Sequence, residues 1–187
     1  NRRILRTKAF KAVFCYAENP GMTLKETEAL LEISCESTRD LYLFLLSIVG
    51  PLTDEARSRI ESSRNKFSAT DRERNPNLKF VNNRIAPLLA SDRDFTKLIT
   101  KKKLSWDQYD ALLRNLYESI RTKDYFTSYL ESGQSSLEED AALWCRIFEN
   151  EFEDNQALEE ILEDLSIYWN DDLPYSLSWC CKSLRAI

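Results

Sequence analysis

Histidine is absent from this chain of 187 residues, and glycine occurs only 3 times. Histidine is the commonest general base and metal ligand, so its absence excludes Ser-His and Cys-His nucleophiles and leaves any zinc site dependent on cysteine. Because the glycines stand alone in the sequence, no glycine-rich phosphate loop can form. We therefore expect a protein that is not an enzyme, with no catalytic residue, no metal and no cofactor.

Turn-forming residues are scarce as well. The chain has 3 Gly and 5 Pro, and it contains no Asn-Gly or Asp-Gly dipeptide. A sheet protein of this length needs many tight turns of that kind. Hydrophobic residues make up 43% of the chain, which is enough for a buried core. This composition predicts an all-α, multi-helix bundle with long helices.

Long apolar runs are missing too. No stretch approaches the roughly 18 residues that a transmembrane helix requires, and the basic N-terminal segment lacks the apolar region of a secretory signal. The cysteines form no C-x-x-C motif, and we interpret them as buried, reduced thiols of a cytoplasmic protein. They are Cys15, Cys35, Cys145, Cys180 and Cys181.

Local signals divide the first part of the chain into helices. The first helix is predicted from about residue 3 to 17 and ends at Asn19-Pro20-Gly21. Thr23 with Glu26 fits a capping box that opens a second helix to about Ile33. A third helix is expected from about residue 37 to a bend or end at Gly50-Pro51. Residues 68–78 are predicted to form a polar linker.

Similar signals continue towards the C-terminus. Ser105 is predicted to cap a helix with Trp106 just inside it, and Ser136 with Glu139 forms a second candidate capping box. Pro174 is expected to begin the last helix, because proline is favoured in a first turn. We expect that helix to continue to Ile187, and we interpret the chain as cut there.

The net charge of −5 hides a strong asymmetry. Residues 1–17 contain five basic side chains and no acid, whereas residues 138–172 contain thirteen acids against Arg146 alone. On a helical wheel of about 100° per residue, Arg2, Arg3 and Arg6 share one sector. Arginine suits phosphate because its planar fork donates two hydrogen bonds together. On charge alone a solvated helix end is favoured, and RNA binding is the alternative.

Three other patterns have two interpretations each. The acidic run is either a solvated face or an interface to a basic partner. Lys101-Lys102-Lys103, with Lys97 before it, is either a favourable helix C-terminus or a second phosphate patch. The aromatics at helical spacing favour core packing over a base-stacking platform. These aromatics are Trp106, Tyr109, Tyr117, Tyr125, Phe126 and Tyr129.

The segment from Arg2 to Phe14, RRILRTKAFKAVF, resembles the first helix of the NusB transcription antitermination family. That family's pattern runs Arg-Arg-x-x-Arg-x-x-Ala-Leu-x-Ala-Leu-Tyr. Arg2, Arg3, Arg6, Ala9 and Ala12 match it directly, and Phe10, Val13 and Phe14 are conservative replacements. The resemblance implies that Arg2, Arg3 and Arg6 contact a boxA-like single-stranded RNA, with Lys8 and Lys11 as supporting charges.

A looser resemblance to the later helices of that family covers residues 138–187. The family's Asp-Arg pair is replaced here by Pro174 and Tyr175. Its terminal Asn-Glu-Ala and Phe-Val-Asn-Gly motifs are missing, as expected if the chain was cut. The whole chain looks most like the longer, Bacteroidetes-type members. We therefore divide it into N-terminal helices (1–34), a helical insert (35–104) and a C-terminal bundle (105–187).

The resemblance implies an RNA-binding antitermination or ribosomal RNA transcription factor. Its partners would be the NusE ribosomal protein and the RNA polymerase antitermination complex, with no membrane contact. The sequence leaves a homodimer open. A different class of function remains as the alternative: an all-α protein–protein adaptor that docks basic partners and does not bind RNA directly.

Overall fold

A computed structural model describes residues 2–169 and 171–187 of the chain. The prediction of an all-α fold is confirmed, since the described residues form helices and no strand. The helices are α1 (Arg2–Glu18), α2 (Leu24–Ser47), α3 (Val49–Arg64), α4 (Asp71–Arg74), α5 (Ile85–Ser91), α6 (Arg93–Lys102), α7 (Asp110–Ile120), α8 (Asp124–Glu131), α9 (Leu137–Glu151), α10 (Gln156–Leu165) and α11 (Leu173–Leu184).

Polar side chains cap the start of several helices. Thr23 forms the predicted capping box, in which its hydroxyl accepts from the Glu26 backbone N–H and the Glu26 side chain accepts from the Thr23 backbone N–H. Ser136 accepts from the Glu139 backbone N–H at the start of α9. These contacts satisfy backbone donors that have no partner within the helix, and they explain why the local signals located these helix starts.

The predicted break between a second and a third helix is wrong, because α2 is continuous from Leu24 to Ser47. No glycine or proline lies between Ser34 and Ser37, so nothing in the backbone ends the helix there. The hydroxyl of Ser37, at the predicted start, lies 3.4 Å from the Ser166 hydroxyl instead of capping a new helix. The proposed domain boundary after residue 34 therefore falls inside one helix.

Other predicted boundaries also shift. Trp106 was predicted inside a helix, but it lies before α7. Its side chain is buried, and its indole N–H donates to the Phe44 carbonyl at 3.0 Å. The expected linker at 68–78 contains the short helix α4, opened by a capping box at Thr70. Pro174 does stand in the first turn of α11, but that helix ends at Leu184 and does not continue to Ile187.

One hydrophobic core extends from Leu41 to Leu184. Phe44 stacks on Trp106 with ring centroids 4.0 Å apart, and α11 packs against both α2 and α9. Side chains of the predicted insert and of the predicted C-terminal bundle share this core. In the described part of the chain, no residue before Leu41 belongs to it. Helix α1 and the first half of α2 therefore form a helical hairpin on the outside of the bundle.

Several buried polar groups inside the bundle form hydrogen bonds. The Tyr129 hydroxyl donates to Asp140 Oδ1 at 2.6 Å, and the Ser119 and Tyr125 hydroxyls donate to the two carboxylate oxygens of Glu151 at 2.6 and 2.9 Å. Burial and the neighbouring carboxylates raise the pKa of Tyr125 and of Tyr129 above the ordinary tyrosine value. Such pairing offsets the cost of removing these groups from water.

All five cysteines are free thiols, as the sequence predicts. Cys145, Cys180 and Cys181 are buried, whereas Cys15 and Cys35 are partly exposed. Across the described ranges, no helix has both the length and the apolar character that crossing a membrane requires.

Candidate nucleic-acid interface

Helix α1 touches the rest of the protein along one narrow line. Its buried residues are Ile4, Lys8 and Ala12, which are four positions apart and therefore lie on one side of a helix. This line faces α2, the other half of the hairpin. Most other residues of α1 are exposed to solvent.

The three arginines of the predicted RNA site are exposed. Among the described side chains, none forms an ion pair with Arg2 or Arg6 within 4.0 Å. Arg3 is also exposed, and it stands at the edge of a groove beside α1. At about 100° per residue, the three side chains spread over about 100° of the helix surface. We call Arg2, Arg3 and Arg6 the arginine face.

The large apolar side chains on the outer side of α1 are exposed. Phe10 is 69% exposed, Val13 62% and Phe14 54%, because the bundle core lies beyond reach of this side of α1. The Phe10 and Phe14 rings stack on each other with centroids 6.3 Å apart. The outer surface of α1 thus presents guanidinium groups in its first turns and an exposed aromatic pair in its later turns.

The two lysines of the predicted site differ sharply from the arginines. Lys8 is only 5% exposed; its ammonium contacts Asp172 Oδ2 at 2.7 Å and donates to Ser34 Oγ at 3.1 Å. Lys11 remains exposed and pairs with Asp171. Both positive charges are thereby matched by aspartates from the segment before α11. Sequence reasoning missed this placement, since nothing near Lys8 in the sequence indicates a buried partner.

A groove of about 840 Å³ lies between α1, α2 and the segments 167–168 and 171–175. The paired Lys8 and Asp172 lie in it, and Lys11 with Asp171 stands at its opening. Tyr168 and Tyr175 line the side opposite α1. No sequence motif predicted this groove, because its two sides come from opposite ends of the chain.

The other charged surfaces stay on the exterior. Lys97, Lys101 and Lys103 are exposed on α6 and at its end, whereas Lys102 pairs with Asp40 at 2.8 Å. On α10, Glu159, Glu160, Glu163 and Asp164 are exposed. Within the described residues, none of these four carboxylates has a cationic partner within 4.0 Å. In the same ranges, no group of three or more acidic or cysteine side chains is arranged to hold a metal ion.

The interpretation of the aromatic spacing as core packing is confirmed. Trp106, Tyr117, Phe126 and Tyr129 are buried, and Tyr109 and Tyr125 pack against the core. The exposed stacked pair, Phe10 and Phe14, lies on the arginine-bearing helix instead.

Comparison with known proteins identifies no relative of this chain. No protein-family model matches it, and neither a curated protein nor a solved structure is similar to it. The likeness to the NusB family, specific in α1 and looser over residues 138–187, therefore remains a resemblance.

Proposed function

We propose that this protein binds single-stranded RNA through the outer surface of α1. Following the resemblance, the RNA is a boxA-like segment, and the process is transcription antitermination or ribosomal RNA transcription with a NusE-type partner. No step of this function requires catalysis. The single observation that carries the proposal is an arginine face that is exposed beside an exposed aromatic pair.

The arginines supply the affinity for the RNA backbone. Arg2 and Arg6 have no acidic partner among the described side chains, so a phosphate would not have to displace one. A guanidinium group donates two parallel hydrogen bonds to phosphate oxygens, and each neutralised phosphate releases counterions. These properties favour a polyanion as the ligand of this surface.

The aromatic pair supplies a surface for bases. Phe10 and Phe14 expose more than half of their side-chain area, and such exposure in a folded protein requires an explanation. Unpaired bases stack on exposed rings, whereas the bases of a duplex are already stacked on each other. The combination of rings with guanidinium groups therefore favours single-stranded over double-stranded RNA.

Charge reversal of the arginine face tests the proposal. We expect the Arg2→Glu/Arg3→Glu/Arg6→Glu variant to lose binding to single-stranded RNA of about 12 nucleotides at low salt, by fluorescence anisotropy. A matched control reverses three exposed arginines on other helices, Arg64, Arg93 and Arg114, and changes the net charge equally. Equal affinity of both variants, with circular dichroism spectra like the original, would refute the proposal.

A protein–protein adaptor is the second candidate, and the α10 surface favours it. Glu159, Glu160, Glu163 and Asp164 form an exposed acidic face that would attract a basic protein. Gel filtration with a purified basic ribosomal protein, with and without RNA, separates the two functions. Binding that needs no RNA and is lost when the four acids are changed to Gln or Asn supports the adaptor.

A further inference from the structure

The groove beside α1 borders the arginine face. Arg3 belongs to both, since it lies in the arginine sector and also lines the groove. Thr7, one turn further along the helix, lines the groove as well. A strand of RNA whose phosphates lie on Arg2, Arg3 and Arg6 would therefore have its bases beside the opening of the groove.

The paired charges in the groove disfavour a simple ion as its ligand. Apart from Arg3, which the proposed function assigns to the RNA backbone, the charged side chains that line the groove are paired, Lys8 with Asp172 and Lys11 with Asp171. An anion would contact ammonium groups that are already paired with carboxylates, and a cation would contact carboxylates that are already paired with ammonium groups. A neutral ligand whose edge both donates and accepts hydrogen bonds matches such a surface better.

The remaining lining fits a flat ring. Ile4, Leu30 and Pro174 contribute apolar surface, and Tyr168 and Tyr175 contribute aromatic rings. The volume of about 840 Å³ lies within the range of about 300–1,000 Å³ that is usual for ligand sites. Aromatic side chains stack on any base because every base has a π-face.

From these three features, and resting on the proposed function, we infer that the groove accepts one unstacked nucleobase of the single-stranded RNA bound by the arginine face. The ring of Tyr175 or Tyr168 stacks on the base. The exposed Lys11–Asp171 pair offers donors and acceptors to its edge. The arginine face thus provides affinity for the backbone, and the groove distinguishes RNA that carries bases from a bare phosphate chain.

The test compares two ligands of the same length, about 12 units. One is adenosine-only or uridine-only RNA, and the other is a chain of tetrahydrofuran abasic units, which keeps the phosphates and removes the bases. The quantity measured is the ratio of the two affinities for each variant of the protein. Tyr175→Ala removes one aromatic wall, and Ile167→Trp narrows the opening at a residue that is 76% exposed.

We expect either substitution to reduce the affinity ratio about fivefold or more, because one stacked base is lost. Tyr175→Phe keeps the ring and should retain the ratio. Tyr16→Ala removes an exposed tyrosine of α1 that does not line the groove, and it should also retain the ratio. Because Ile167 lies on the surface, we expect the Ile167→Trp variant to fold. It therefore tests the groove even if Tyr175→Ala fails to fold.

The outcomes separate this inference from the proposed function. If the arginine reversals weaken both ligands while Tyr175→Ala and Ile167→Trp leave the ratio unchanged, the groove binds no base and RNA binding by α1 stands. If the arginine reversals weaken neither ligand, the proposed function fails, and the inference fails with it.

Discussion

The ammonium of Lys8 contacts the carboxylate of Asp172 at 2.7 Å in a buried ion pair, with the two side chains 5% and 3% exposed. Thr38 donates to the same carboxylate oxygen from α2. The pair therefore joins both helices of the outer hairpin to the segment before α11. The hairpin lies outside the main hydrophobic core, and this pair adds a polar contact to the buried Ile4 and Ala12 at its contact with the rest of the protein.

Loss of one partner of this pair should destabilise the protein strongly. We expect Lys8→Met to lower the free energy of unfolding by about 3–5 kcal/mol, because Asp172 is left as a buried, unpaired charge. Lys11→Met is the matched control, since the Lys11–Asp171 pair is exposed and should contribute at most about 1 kcal/mol. Urea unfolding measures both. If Lys8→Met lowered the free energy of unfolding no more than Lys11→Met does, the result would contradict a buried Lys8–Asp172 pair.

The exposed aromatics of α1 should contribute little to stability. We expect Phe10→Ala/Phe14→Ala to change the free energy of unfolding by about 0.5 kcal/mol or less, because both rings already face solvent. Phe148→Ala should cost about 3–5 kcal/mol, since Phe148 is fully buried in the core. A large loss from the α1 variant would mean that its aromatics pack against the protein.

Salt should weaken RNA binding in proportion to the phosphates neutralised. For a single strand, the logarithm of the affinity falls with the logarithm of the salt concentration with a slope of about −0.7 for each phosphate. Changing Arg2, Arg3 and Arg6 to Gln should make that slope shallower by about 2 if each contacts one phosphate. Anisotropy titrations at several salt concentrations measure the slope. An unchanged slope would assign the phosphate contacts to other residues.

The protein should lose stability in alkali through its buried tyrosines. Burial and the hydrogen bond to Asp140 raise the pKa of Tyr129 in the folded state. A group with a raised pKa stabilises the fold fully below its unfolded pKa of about 10, and that contribution falls as the pH rises further. The slope contributed by Tyr129 approaches about 1.4 kcal/mol per pH unit.

The variant Tyr129→Phe tests this pH dependence. It removes the ionisable hydroxyl, so its free energy of unfolding should decline less steeply above about pH 10 than that of the original protein. Tyr16→Phe, at an exposed position of α1, should leave the curve unchanged. Urea unfolding at a series of pH values measures the difference. Parallel curves for Tyr129→Phe and the original protein would contradict it.

The parts of the fold that were predicted correctly depend on neighbours in the sequence. The end of α1 near Asn19-Pro20-Gly21 and the start of α2 at Thr23 follow from backbone groups within a few residues. The break expected near Ser34 was wrong, because serine and threonine permit a cap but do not impose one. The Ser37 hydroxyl, at the predicted start, contacts the Ser166 hydroxyl from a distant part of the chain instead.

The amino-acid sequence by itself determined the helical class, through scarce turn residues, and the exposure of Arg2 and Arg6, whose charge is costly to bury. The tertiary structure alone decided that Lys8 is buried while Phe10 is exposed, in reverse of their usual preference. The side of a helix that faces the protein depends on what packs against it. For α1, that partner includes Asp172, which is distant in the sequence. Its carboxylate compensates the buried charge of Lys8, a residue that the local sequence would place in solvent.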